Sequence, residues 1–156
     1  MIDWNKIKSK TGEFYTDATK QIRKYTPESF SKEKKFVNAL VISLALMTMA
    51  DKKAETDEVM ASLELINEID EIRDLEMTAD AIVLYEKHLE TLSKVVDNPT
   101  KWILTVAKLL SEIGKIRPYT EYPPMIETLL DYLSQTKGSI NSMESDMKNK
   151  ILGAIK

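Results

Sequence analysis

Two stretches of this chain place acids where either an oxygen-ligated cation or a helix N-terminus would use them. "ADKKAETDEVM", Ala50 to Met60, sets Asp51 seven residues ahead of Glu58. "TKGSINSMESD", Thr136 to Asp146, sets Lys137 seven residues ahead of Glu144. Each follows an apolar run and opens another apolar-periodic stretch. A hard divalent cation needs several oxygen ligands and negative charge. Helix capping is the simpler account of the two glutamates. Each lies two residues after a hydroxyl side chain, Thr56 or Ser142, where the macrodipole favours an acid. Capping does not explain Asp51, nor the lysine in its place at Lys137.

A denser set of acids lies between Glu55 and Asp80, where ten Asp/Glu face a single basic residue, Arg73. Glu68, Asp70, Glu71, Asp74 and Glu76 form its centre, without the spacing of an EF-hand. Such a run is a solvated helix face, a cation site or a docking surface for a basic protein partner. From Met1 to Lys35 the balance reverses, with nine Lys/Arg against five Asp/Glu. There Trp4 and Ile7 sit amid Lys6, Lys8 and Lys10. That segment either packs on its own domain or contacts an anionic inner-membrane surface. Tyr15, Arg23, Lys24 and Tyr25 are basic and aromatic, but the formal net charge is -3 and no reading motif is present. Direct nucleic-acid binding is therefore not expected.

Little points to catalysis. His88 is the one histidine, its neighbours place it at a surface or boundary, and no nucleophile motif accompanies it. No Gly-rich phosphate loop or H-E-x-x-H pair occurs. Cysteine is absent, which excludes disulfides and thiolate sites and fits a reducing compartment. "MIDWNKIKSK" has no apolar leader core, and "ALVISLALMTMA" is too short to span a bilayer. The expectation is a non-enzymatic cytoplasmic protein, one domain over residues 1–156.

The elements that must position these residues read as helices. Gly and Pro are sparse, and no stretch alternates like a strand. Asp3 or Asn5 opens a first amphipathic helix, with Phe14, Ala18, Ile22 and Tyr25 at helical spacing, broken by Pro27. Ser31 caps a second that runs to about Met49. Thr56 caps a third, with Val59, Met60, Leu63 and Ile66 inward. Thr78 starts a fourth, burying Ile82, Tyr85, Leu89 and Leu92. Asn98-Pro99 starts a fifth through Trp102, Val106, Leu109, Leu110 and Ile113, ended by Gly114. Met125 to Leu133 form a sixth, ended by Gly138. Ser142 caps the last, through Ile151 and Ile155. The methionines, among them Met47, Met49, Met60, Met77, Met125, Met143 and Met147, fill core gaps. The fold class is all-α, with about seven helices.

The two acidic turns share one plan, and here the chain resembles the TerB-like tellurite-resistance family. Ala50-Asp51, Glu55 and Glu58 stand at the offsets of that family's "A-D-G-x-I-S-x-x-E" signature; Lys137-Gly138-Ser139-Ile140-Asn141 and Glu144 fit the same frame. "WNKIKSKTGEFYTDATKQIRKY" is similar to its N-terminal segment, and "ALVISLALMTMAD" to the apolar helix before its first acidic turn. The resemblance covers nearly the whole chain. It implies two pseudo-repeated helical-hairpin halves, a stress-response role through protein binding, and no enzymatic activity. It also implies a weak divalent-cation site, carried over to Asp51, Glu58 and Glu144. Two departures bear on that site. Lys52 replaces a glycine at a left-handed turn position, and Lys137 replaces the second acid. Its ammonium either takes the place of the metal or points into solvent. Two alternatives stay open: a divalent-metal-binding protein, or an acidic inhibitor of a nucleic-acid-binding or host defence protein, as a phage would encode.

Overall fold

The computed structural model describes residues 32–136 and 141–156, apart from the side chains at 135 and 136. The first amphipathic helix with its membrane-facing reading, the Ser31 cap, Lys137 and Gly138 lie outside the described residues. Those described form seven α-helices and no strand. They are α1 (Lys32–Thr48), α2 (Thr56–Glu68), α3 (Asp70–Asp74), α4 (Thr78–Ser93), α5 (Pro99–Ile113), α6 (Tyr122–Thr136) and α7 (Ser142–Ile155); a 3-10 turn, Gly114–Ile116, follows α5. The all-helical expectation holds.

α1 is the axis. Every residue from Phe36 to Thr48 is buried, because a helix apolar on all sides has no face for water. α2, α4, α5, α6, α7 and the 3-10 turn all pack on it. Its polar residues are satisfied within the core, as burial demands. Ser43 Oγ donates to the Ala39 carbonyl at 2.8 Å, and Thr48 Oγ1 to that of Leu44 at 2.9 Å. Asn38 Oδ1 meets His88 Nε2 at 3.1 Å.

The surrounding helices bury one stripe each. Ile82, Tyr85, Leu89 and Leu92 point inward from α4, and Trp102, Val106, Leu109 and Ile113 from α5. Met147, Ile151 and Ile155 do so from α7. Each fully buried large side chain contributes roughly 1.5–3 kcal/mol against exposure. Met47, Met49, Met77 and Met147 join this core, whereas Met143 is 57% exposed.

Several boundaries differ from the sequence reading. Thr56 is not the cap of α2. Glu55 holds the extended backbone of that position and makes no side-chain cap bond. Ser142 is not the cap of α7; Asn141 Oδ1 accepts from the Glu144 amide at 2.8 Å. Asn and Ser serve equally well at this position, so composition does not separate neighbours. α6 begins at Tyr122, ahead of Met125, because Pro123 and Pro124 suit a first turn whose amides need no partner. α3 has no counterpart in the sequence reading, since five residues are too few for a periodic signal. Asn98 caps α5 as expected, accepting from the Lys101 amide at 3.0 Å. Gly114 ends α5 with an ordinary φ of -60°. It is there for space: a Cβ would lie 3.3 Å from the Ala154 carbonyl oxygen, where α5 meets α7.

Candidate functional site

The turn at Asp51 shows what its acid does. The Lys52 amide donates to the Met49 carbonyl at 2.8 Å, and the Lys53 amide donates to Asp51 Oδ1 at 3.1 Å. The carboxylate thus satisfies its own loop, as Asx residues in turns do. Lys52 adopts φ 65°, the left-handed region that favours glycine. Its ammonium lies 5.5 Å from the centre of the Trp102 ring, a cation–π contact that ties the turn to α5.

Glu58 and Glu144 occupy the same place in their helices, the third helical position of α2 and of α7. An acid there faces the positive end of the helix dipole. Glu144 is buried at 8% exposure. Glu58 is half-buried, and its charge adds to the rise in the Tyr85 pKa, which burial pushes up to about 12. Among the described residues, no three of His, Cys, Asp and Glu are arranged to hold a metal ion. Asp51, Glu58 and Glu144 are all among those residues, so the structure does not gather them as a ligand set.

The five acids of the docking reading lie where α2 runs into α3. Glu68, Asp70, Glu71, Asp74 and Glu76 are all exposed. Arg73 folds back over this junction. Its Nη2 donates to Asp70 Oδ1 at 2.9 Å and to the Glu68 carbonyl at 3.1 Å. The pair is largely solvated, with side-chain exposures of 56% and 81%, so it contributes at most about 1 kcal/mol. Its effect is local: it fixes the bend and occupies the one basic side chain between Glu55 and Asp80.

Beside this bend runs a groove of about 470 Å³. Phe36 and Leu40 of α1 form its floor. Leu65 and Ile69 form one wall, and Met125, Leu129 and Tyr132 of α6 form the other. Glu68 and Glu71 stand on the α2–α3 lip, with Thr128 opposite. The Thr128 hydroxyl already donates to the Pro124 carbonyl at 2.9 Å, which leaves the two carboxylates and the hydroxyl of the half-exposed Tyr132 as polar groups for an occupant. The far wall of the groove is held in place at the helix start, where Tyr122 stacks on Phe36 at 4.4 Å between ring centres and Glu121 pairs with Lys32.

Sequence reading singles out Glu68 and Glu71 but misses the apolar part of this site. A signal is present. Met125, Thr128, Leu129 and Tyr132 recur at i, i+3, i+4 and i+7, and Leu65, Glu68 and Ile69 at i, i+3 and i+4. Tyr132 is 50% exposed, and a large aromatic left in water beside an apolar stripe marks a surface open to a partner. His88 is at the boundary as expected and has a structural role. Burial lowers its pKa to about 4, so the ring is neutral at pH 7 and donates through Nε2 to Asn38 Oδ1. No protein-family model matches the chain, and no solved structure matches it.

Proposed function

We propose that this protein is a non-enzymatic, TerB-like interaction module that works by binding another protein through the groove between α2, α3 and α6. One observation carries the reading. The most acidic stretch of the chain sets two exposed carboxylates, Glu68 and Glu71, on the lip of an apolar groove. The apolar walls, Leu65, Ile69, Met125 and Tyr132, supply affinity, and a charged rim supplies orientation and rate of encounter. A small-molecule site would be expected to converge more polar groups on its occupant than two carboxylates on one lip and a tyrosine hydroxyl on the other wall. The stress-response setting and the cytoplasmic location belong to the same proposal and rest on the turn motifs. No helix among the described residues is long and apolar enough to cross a membrane.

The test is co-purification from the native cell, comparing wild type with Glu68→Lys/Glu71→Lys. Both positions are exposed, so the variant should fold, and circular dichroism checks that it does. A protein that accompanies wild type, leaves with the variant and is lost as salt rises supports the reading. Identical protein sets from both baits at low salt would refute it.

A further inference from the structure

We infer that the groove takes a basic amphipathic α-helix from a partner protein, seated by apolar anchors against Leu65, Ile69, Met125 and Tyr132 and aligned by Glu68 and Glu71. The inference rests on the protein-binding reading of the groove and names the partner's chemistry. Three observations carry it.

The first is the shape of the walls. The described residues contain no strand, so the groove offers no sheet edge to an extended peptide, whose affinity would come from main-chain hydrogen bonds. Both walls present helical stripes at i and i+3 or i+4 above a buried helical floor. A third helix packs on such a surface by setting its own i, i+4 ridge between theirs.

The second is charge. Glu68 and Glu71 flank the groove, Asp70, Asp74 and Glu76 continue the acidic face beyond it, and Arg73 is already held by Asp70 and the Glu68 carbonyl. Lysine or arginine on the polar flank of the incoming helix would meet this rim, whereas an acidic flank would be repelled.

The third is asymmetry. The carboxylates stand on the α2–α3 side alone, while the α6 wall ends in Tyr132. A helix with its basic residues to one side of the apolar stripe fits in one orientation. Tyr132, amphipathic and half-exposed, covers the other side, as aromatics at interface edges do.

The experiment uses the full chain and a fluorescein-labelled peptide of 18 residues with Leu at i, i+3, i+4 and i+7 and Lys elsewhere. Controls are a scrambled peptide of equal composition and a version with Glu in place of Lys. Anisotropy measures affinity, and backbone amide shifts of the labelled protein locate the site. The expected result is saturable binding of the Leu–Lys helix, with shifts at Leu65, Ile69, Leu129 and Tyr132. Scrambling should weaken it about tenfold or more, and the Glu version should not bind. Glu68→Lys/Glu71→Lys and Tyr132→Ala should each weaken it about tenfold.

Equal binding of the scrambled peptide would mean charge attraction without a helix site and would overturn the inference. So would shifts confined to other surfaces. Nuclear Overhauser contacts from Leu65 or Leu129 to Trp4 or Phe14 in the free protein would assign the groove to the chain's own N-terminal segment. A concentration-dependent dimer that protects the groove would assign it to a second copy. Either also overturns the inference. Loss of a cellular partner on Glu68→Lys/Glu71→Lys, with no binding of the helical peptide, would leave the protein-binding reading standing and sink the helix alone.

Discussion

The Tyr85 hydroxyl lies 2.8 Å from Thr48 Oγ1 inside the core, joining α4 to the last turn of α1. Thr48 spends its own proton on the Leu44 carbonyl, so Tyr85 is the donor between the two. Ser62 Oγ of α2 approaches the same threonine at 3.4 Å. Three helices are therefore registered on one hydroxyl, and Tyr85 is fully buried.

That arrangement predicts an order of costs. Thr48→Val removes the acceptor of Tyr85 and the donor to the Leu44 carbonyl, leaving the buried Tyr85 hydroxyl with Ser62 alone, at about 1–3 kcal/mol. Tyr85→Phe removes the donor and leaves Thr48 bonded to Leu44, so it should cost less, about 1 kcal/mol. The double variant should fall well short of the sum, because the two changes delete one interaction. Urea unfolding of the four proteins checks this; additive losses would mean that the pair is not coupled.

His88 predicts a pH dependence. Its folded pKa of about 4 lies below the 6.5 of the unfolded chain. The unfolded state therefore binds the extra proton first as pH falls. Stability from the neutral ring is complete above pH 6.5 and is lost progressively down to pH 4, amounting to about 2 kcal/mol at pH 5. Burial is the main cause, with Lys87 adding to it and Glu112 opposing. Urea unfolding at pH 7 and pH 5 should show the loss, and His88→Gln should flatten it. An NMR midpoint for His88 near 6.5 would contradict the assignment.

Lys52 predicts a ranking at one backbone position. At φ 65° a glycine is unstrained and a β-branched residue is the worst choice. Lys52→Val should cost about 1–2 kcal/mol. Lys52→Gly should cost less than about 1 kcal/mol or stabilise, as relief of strain offsets the lost contact with Trp102. Thermal unfolding distinguishes the two, and equal losses would mean that the cation–π contact matters more than the backbone conformation.

The cap of α7 predicts a difference between neighbours. Asn141→Ala should cost about 1 kcal/mol, since it frees the Glu144 amide. Ser142→Ala, one residue into the helix and exposed, should cost a few tenths at most. Denaturant midpoints of the two variants decide; the reverse order would restore the serine as the cap.

Much of this molecule is legible in the amino-acid order because its signals are local. Asn98-Pro99 opens a helix as a side-chain cap and a pre-set φ require. The unbroken apolar run before Asp51 announces a helix with no outer face, and it becomes the axis of the bundle. The turn at Lys52 is also local, because the Asp51 side chain ahead of it bonds the amide of its own loop.

Packing on α1 decides the rest. His88 and Asn38 are fifty residues apart, and nothing near either names the other. The stripes on α2 and α6 are each visible, but periodicity reports only the faces of one helix. Whether two stripes meet, or stand apart as the walls of a groove, depends on where the shared axis holds them. Here α1 holds both, and it sets them far enough apart that Glu68 and Glu71 line a groove between the two helices rather than a packed seam.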